Sequence, residues 1–212
     1  MTLSEWESRF IAFLAQQPDP PDAAHGLPHL RRVVSMAKRI STAEGAALAV
    51  VVPAAWLHDC LTLPKDHPDR RLASRAAADR AVAFLREAAY PAAHLDAIHH
   101  AIEAHSFSAG IAPRTLEAQV VQDADRLDAL GAIGLARMIA VGTSLDRPLY
   151  ASNDPFCERR SPDDRTYTLD HVYTKLITLA DTMQTTAGRA EAERRTAFLR
   201  GFLEQLRSET GD

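Results

Sequence analysis

The apolar stretch VVVPAAWLHD, residues 50–59, decides how this chain folds, because a largely apolar run ends in an adjacent histidine and aspartate. His58 and Asp59 form the only His-Asp dipeptide in the sequence. The run predicts a buried helix with both polar side chains in its last turn. Either residue alone is explained equally well as a hydrogen-bonded core group. A metal-binding interpretation therefore needs further ligands elsewhere in the chain.

Two other parts of the sequence supply such ligands. His29 opens a predicted helix upstream, and Asp125 lies in the acidic segment QDADRLD, residues 122–128, of another apolar helix downstream. Two imidazoles and two carboxylates suit a divalent transition metal. A carboxylate on an apolar helix also needs a partner, because an unpaired buried charge costs several kcal/mol. The sequence therefore predicts that His29, His58, Asp59 and Asp125 converge from three helices on one cation.

Composition and length narrow the class of protein. The chain has 212 residues, 46% of them hydrophobic, with a formal net charge of −4. These values predict one domain over residues 1–212, with a core at about 20–145, an irregular loop at 143–167 and C-terminal helices at 168–207. The acidic balance argues against general nucleic-acid binding. No apolar run is long enough to span a membrane, and the acidic N-terminus does not resemble a secretory signal. With two cysteines only, we expect a reducing, cytoplasmic location and no disulfide framework.

Nearly all apolar patterns have helical period, so the predicted fold class is all-α. Thr2 and Glu5 have the spacing of a capping box for the first helix. Pro53 is expected to kink the helix that ends near Asp59 or to mark its start. The tail, residues 170–207, predicts one long helix or two, with Gly188 and Gly201 as candidate breaks. The long irregular loop at 143–167 is typical of a lid over a functional site.

The order H…HD…D resembles the signature of the HD-domain metal-dependent phosphohydrolases. Three longer stretches, residues 57–65, 101–108 and 121–134, are similar to the small bacterial hydrolases of the YedJ/YpgQ type within that superfamily. The similarity spans about residues 20–207. It implies a helical HD bundle with the metal site in its core, and hydrolysis of a phosphate ester or anhydride. The substrate it implies is a nucleotide, with nucleoside triphosphate pyrophosphohydrolysis as a specific lead.

The resemblance also implies a metal cofactor, and it indicates which of the neighbouring aspartates is the metal ligand. In the family pattern the ligand aspartate precedes a basic and then an apolar residue, which fits Asp125 and not Asp123. The expected metal is Mn²⁺ or Mg²⁺, although purified protein is expected to carry Ni, Fe or Zn in some preparations. Some HD enzymes use two extra histidines to bind a second metal ion, so the number of ions in this site, one or two, is left open.

Other residues are predicted to carry out catalysis or bind substrate. Asp128 lies three residues after Asp125, beside it on one helical face, and is a candidate base. The remaining catalytic candidates are His105, Glu103 and Lys65. The candidate substrate-binding residues are Lys65, His100, His105 and Arg126.

Other functions stay open at this point. The alternatives are a cyclic-nucleotide or alarmone phosphodiesterase, and a non-catalytic module that binds metal or nucleotide. An oxygenase with two irons also exists among HD proteins, and a plain helical interaction domain would bind no metal. The expected partner is a phosphorylated small molecule, with no membrane and no nucleic acid. A homodimer is left open.

Overall fold

The fold is taken from a computed structural model that describes residues 1–17, 26–61, 63, 69–106 and 109–211. All regular secondary structure in these ranges is helical, which confirms the predicted all-α class. The α-helices are α1 (Leu3–Leu14), α2 (Leu27–Glu44), α3 (Leu48–Leu57), α4 (Ala73–Glu87), α5 (Leu95–His105), α6 (Leu116–Leu127), α7 (Gly131–Ser144), α8 (Asp170–Thr174) and α9 (Thr186–Thr210). Short 3₁₀ segments lie at Arg70–Leu72, Ala92–His94 and Leu176–Thr182.

The chain divides into two compact units. The N-terminal unit comprises residues 1–125 and 184–188, and the C-terminal unit comprises residues 126–183 and 189–212. The predicted single domain over the whole chain stays a prediction. Among the described helices, no single one is long and apolar enough to cross a membrane, although the bent pair α6 and α7 together passes a test of length and composition.

Helix α3 forms the centre of the N-terminal unit. Every residue from 50 to 57 is buried, as the opening stretch predicts. Helices α1, α2 and α5 pack on it, and α4 packs on α5. Trp56 near its C-terminus donates its indole N–H to Glu7 Oε1 at 3.0 Å, which ties the last turn of α3 to α1. Helix α1 itself begins with the predicted capping box between Thr2 and Glu5.

Pro53 lies inside α3 without ending it. A proline in a helix leaves the carbonyl four residues earlier without its usual donor. That carbonyl belongs to Ala49, and the hydroxyl of Tyr90 donates to it at 2.6 Å. Tyr90 therefore supplies the hydrogen bond that Pro53 cannot, and α3 continues to the His-Asp pair.

The tail contains two α-helices, which is one of the two alternatives predicted for residues 170–207, but neither candidate glycine marks the break. Only α8 and α9 are α-helical there, and a 3₁₀ segment at Leu176–Thr182 separates them. The break comes before Gly188, and α9 runs through Gly201 without interruption. Its start is fixed by a side chain from another helix, because buried Asp123 accepts hydrogen bonds from the backbone N–H groups of Gln184 (2.9 Å) and Thr185 (2.8 Å). The local periodicity of the sequence does not predict a contact between residues so far apart in the chain.

The irregular loop after α7 has its own polar framework in the C-terminal unit. Asp154 accepts hydrogen bonds from the backbone N–H groups of Glu158, Arg159 and Arg160. Fully buried Asp170 receives a two-pronged contact from the Arg160 guanidinium, with one N···O distance of 2.7 Å. Helix α7 ends at Ser144 and so includes the first two residues of the predicted loop at 143–167. The lid role predicted for this loop stays a prediction.

Candidate metal centre

Three helices of the N-terminal unit bring the four predicted ligands together. His29 lies in the first turn of α2, and His58 directly follows α3 with Asp59 beside it. Asp125 lies near the C-terminal end of α6. The two histidines are buried, at 2% and 1% exposure, whereas the side chains of Asp59 and Asp125 are 15% and 27% exposed. Solvent therefore reaches the cluster from the side of its carboxylates.

The ligand atoms lie within a small volume. His29 Nε2 is 3.4 Å from His58 Nε2, 3.5 Å from Asp125 Oδ1 and 3.9 Å from Asp59 Oδ2. His58 Nε2 is 3.5 Å from Asp59 Oδ2 and 3.7 Å from Asp125 Oδ1. Two ligand atoms about 2.1 Å from a shared cation lie about 3.0 Å apart at a right angle and about 3.4 Å apart at the tetrahedral angle. These separations equal or slightly exceed those values, so the two histidines have the spacing to share an ion with either carboxylate.

Hydrogen bonding fixes which ring nitrogen of His58 faces the cluster. Its Nδ1 lies 2.9 Å from the carbonyl oxygen of Ala55, which is one of the last four carbonyls of α3 and lacks a partner within the helix. Assigned from this geometry, Nδ1 carries the proton and donates to Ala55. Nε2 then presents a lone pair toward two carboxylates. Such an arrangement of lone pairs and negative charge suits a bound cation.

His105 lies beside the four groups as a third imidazole. Its Nε2 is 3.6 Å from Asp59 Oδ1, and its ring centroid is 4.7 Å from that of His58. His58, Asp59 and His105 offer ligand atoms close enough to one another to share an ion, as do His29, His58 and Asp125. Burial lowers the pKa of His105, and the nearby His58 adds to this effect, whereas Asp59 and Asp125 oppose it.

Asp123 and Asp125 have separate surroundings, although both lie on α6. Asp123 is fully buried, and its two oxygens accept hydrogen bonds from Gln184 and from the backbone and hydroxyl of Thr185. Through these hydrogen bonds the Asp123 carboxylate fixes the start of α9. Asp125 instead directs an oxygen toward both histidines. The geometry thus supports the choice of Asp125 that the family pattern suggested.

Most of the other predicted site residues have defined contacts of their own. His100 Nε2 accepts a hydrogen bond from the backbone N–H of Arg114 at 2.9 Å, and burial lowers the pKa of His100. Glu103 Oε1 lies 3.9 Å from Arg75 Nε. None of these contacts joins His100 or Glu103 to the cluster, and their catalytic or binding roles stay predictions.

The remaining candidates lie in the C-terminal unit or outside the described residues. Asp128 is 3% exposed, and its Oδ2 accepts from Arg137 at 2.6 Å, a contact that competes with a role as proton acceptor. Arg126 donates to the carbonyl oxygen of Thr182 at 2.8 Å. Lys65 lies outside the described residues. The roles proposed for these three residues are untested.

Two further buried residues lie close to candidate ligands in the sequence. Cys60 has a structural explanation, and Gln122 is not among the residues that the sequence predicts for the site. Cys60 is 4% exposed and donates to the carbonyl oxygen of Ala77, and burial raises the pKa of its thiol to about 12. Gln122, one helical turn before Asp125, is 2% exposed and donates to the carbonyl oxygen of Ala104 at 2.7 Å. One signal for Gln122 is present in the sequence, namely its helical spacing of three residues from the predicted ligand Asp125.

Comparisons with known proteins identify the family to which this chain is similar. A family model described as HD domain matches residues 26–130. The uncharacterized protein YpgQ of Bacillus subtilis is 32% identical over 189 residues, which cover 87% of this chain and 83% of YpgQ. A crystal structure of an HD-superfamily hydrolase from Bacillus thuringiensis is 32% identical, covers 98% of both chains and has a TM-score of 0.77. The structure of Bacillus subtilis YpgQ in complex with ADP is 29% identical, covers 97% of this chain and 93% of YpgQ, and has a TM-score of 0.71.

Proposed function

This chain belongs to the HD-domain family of metal-dependent phosphohydrolases, and from that premise we propose that it hydrolyses a phosphate anhydride of a nucleotide. The observation that carries the proposal is that Nε2 of His29 and Nε2 of His58 lie 3.4 Å apart, and that each lies 3.5 to 3.9 Å from an oxygen of Asp59 and an oxygen of Asp125. The nucleotide is supported by the similar protein YpgQ, whose crystal structure contains ADP. Pyrophosphohydrolysis of a nucleoside triphosphate is the specific reaction that we propose.

The four residues would hold a divalent cation through carboxylate oxygen and imidazole nitrogen atoms, and we propose Mn²⁺ or Mg²⁺. When bound, such an ion polarises a phosphoryl oxygen and makes water a stronger acid. The exposed fractions of Asp59 and Asp125 leave that side of the cluster open to a substrate phosphate. The buried histidines keep the opposite side fixed and dry, which strengthens electrostatic contacts within the site.

His105 is the group that we propose as the proton acceptor. Its Nδ1 lies 2.6 Å from the carbonyl oxygen of Ile102, so Nδ1 carries the proton and Nε2 is free to accept one on the side of Asp59. Burial favours the neutral imidazole, which is the form able to take up a proton. Glu103 and Asp128 remain alternative bases. Lys65, His100 and Arg126 are the residues proposed to bind the phosphate oxygens.

The proposal also includes a cellular location and the expected partners. Cys60 and Cys157 are both free thiols, which supports a reducing cytoplasm as the location. The expected partner is a phosphorylated small molecule, and a homodimer stays a prediction.

Replacement of one ligand tests the proposed function. Asp59→Ala should lower turnover of the best nucleotide by about a thousandfold or more, because metal-assisted stabilisation of developing charge contributes several kcal/mol. The matched control is Asp79→Ala, since Asp79 is an exposed aspartate that contacts His99. The assay uses Mn²⁺ with nucleoside tri-, di- and monophosphates and cyclic nucleotides.

Each product of that assay identifies the bond that is cut. Pyrophosphate from a triphosphate supports the proposal, whereas turnover of a cyclic nucleotide alone would replace it with a phosphodiesterase. Unchanged activity of Asp59→Ala would remove the proposed site. Nucleotide binding with no product after long incubation would indicate a non-catalytic module.

A further inference from the structure

A hydrogen bond from Gln122 joins the two helices that carry Asp125 and His105. Gln122 Nε2, on α6, donates to the carbonyl oxygen of Ala104, on α5, at 2.7 Å. Ala104 directly precedes His105, and Gln122 lies three residues before Asp125 on the same face of α6. The contact is buried, with Gln122 only 2% exposed.

The acceptor is a group that the helix itself leaves unpaired. Helix α5 ends at His105, so the Ala104 carbonyl is one of its last four and lacks an N–H donor within the helix. The same is true of the Ile102 carbonyl, which His105 Nδ1 contacts at 2.6 Å. Gln122 and His105 together therefore cap the last turn of α5, and this turn sets where His105 Nε2 lies relative to Asp59.

The amide oxygen of Gln122 indicates that glutamine has a functional role at this position. Its Oε1 is buried and has no hydrogen-bond partner within the described part of the chain. A half-satisfied amide in a core is less favourable than an apolar residue of the same size. Locally unfavourable choices of this kind are expected where a protein positions a functional site.

We propose that Gln122 is a positioning residue that fixes the last turn of α5 to α6 and so holds His105, the proposed proton acceptor, in place relative to the candidate ligand Asp125. This inference rests on the proposed function, since it assigns Gln122 to the same metal centre. Groups that orient metal-binding side chains typically change metal affinity about tenfold to a hundredfold when they are removed. Gln122 acts through backbone, so we expect the lower end of that range.

The test is Mn²⁺ affinity, measured by isothermal titration of metal-free protein with MnCl₂. Gln122→Met keeps the length of the side chain and removes its hydrogen bonds, and it should weaken Mn²⁺ binding about tenfold. The matched control is Gln119→Met, because Gln119 lies one turn earlier on α6 and also donates to a backbone carbonyl, that of Pro113 at 3.4 Å. The control should bind Mn²⁺ like the wild type.

Thermal unfolding in EDTA shows whether each variant is folded before titration. If Gln122→Met does not fold, Gln122→Leu replaces it, because leucine is apolar and has no N–H to donate. Leucine adds no charge to the site, so weaker Mn²⁺ binding by the folded variant supports the positioning bond. Wild-type or tighter Mn²⁺ affinity in the folded variant contradicts the proposal.

Kinetics separate this inference from the proposed function. If the chain hydrolyses a nucleotide, Gln122→Met should lower kcat about tenfold at saturating Mn²⁺ with KM for the nucleotide unchanged. A wild-type protein that turns over no nucleotide would remove the proposed reaction, yet the Mn²⁺ titration would still decide the role of Gln122.

Discussion

At the scale of single residues, two histidines are oriented in the same way, by a hydrogen bond from Nδ1 to a nearby backbone carbonyl. His58 and His105 each lie at the end of a helix and bring Nδ1 within 2.9 Å or less of a carbonyl three residues earlier. Those carbonyls lack intrahelical partners, so each ring is oriented by its own helix end. Nε2 is left to face the carboxylates. The His-Asp dipeptide identified His58 from sequence, whereas His105 needed the family resemblance, because five residues separate it from His100.

Cys60 is predicted to be passive despite its place next to Asp59. It is 4% exposed, and its thiol donates to the carbonyl oxygen of Ala77. Cys60→Ala should therefore keep Mn²⁺ affinity and kcat within about twofold, while losing about 1 kcal/mol of stability from the vacated space. Titration calorimetry, steady-state kinetics and urea unfolding measure these quantities. Loss of turnover in a folded Cys60→Ala protein would show that the thiol takes part in the reaction.

At the scale of helices, the sequence predicted elements whose signals are local. The capping box of α1, the buried run of α3 and the helical period of α6 all depend on residues within one or two turns of each other. The tail could not be predicted in the same way. Its break before α9 depends on Asp123, which is about sixty residues earlier in the chain. Hydrogen bonds between distant elements leave no periodic trace in a single sequence.

The pairing of Tyr90 with the carbonyl freed by Pro53 predicts a coupled effect. Tyr90→Phe leaves the Ala49 carbonyl without a donor and should lower the free energy of unfolding by about 1–3 kcal/mol. Pro53→Ala restores a backbone N–H for the same carbonyl. Tyr90→Phe should therefore cost less in a Pro53→Ala background, as measured by urea unfolding of all four proteins. Equal costs in both backgrounds would show that the tyrosine acts through packing alone.

Gly188 is predicted to be essential for the junction between α6 and α9. A Cβ at this position would lie 2.3 Å from Asp123 Oδ2 and 2.7 Å from Thr185 Oγ1. Gly188→Ala should lower stability by about 1–3 kcal/mol, since the buried carboxylate must move. Gly201 is the matched control on the same helix, because a Cβ there meets no atom within 4 Å. Gly201→Ala should raise stability by up to about 1 kcal/mol. Equal effects of the two substitutions on thermal unfolding would contradict this account.

At the scale of the whole molecule, charge pairing predicts part of the acid sensitivity. Hydrogen bonds from Arg194, together with those from Arg195, hold the pKa of Glu191 at about 2, below its usual 4.5. A lowered carboxyl pKa contributes stability that is present above pH 4.5 and is lost as the pH falls toward 2. Solvent screens the pair, so this contribution is about 1–2 kcal/mol.

Glu191→Gln should remove that contribution. Its stability should be lower than that of the wild type at pH 7, and the two should approach each other near pH 2. Urea unfolding in EDTA from pH 2.5 to 7 measures the difference without interference from metal. Glu193→Gln, an exposed neighbour on α9, serves as the control. A constant gap between wild type and Glu191→Gln across this range would contradict the assigned ion pair.

The four candidate ligands are the part of the site that the sequence predicts most directly, and their surroundings are the least predictable part. Four ligands in the order H…HD…D were assigned from sequence, and the structure brings all four together. Asp128 was assigned as a base from its spacing alone, and the structure adds a contact with Arg137 that no local pattern indicates. Residues around a ligand set are fixed by tertiary packing, so a single sequence identifies them poorly.

Anomalous diffraction from a crystal of this protein grown with MnCl₂, recorded at the manganese absorption edge, tests the central claim most directly. We predict an anomalous peak about 2.1–2.3 Å from His29 Nε2, His58 Nε2, Asp59 Oδ2 and Asp125 Oδ1. The peak should be absent from crystals of Asp125→Ala grown in the same way. A manganese peak elsewhere, with these four side chains unliganded, would contradict the account.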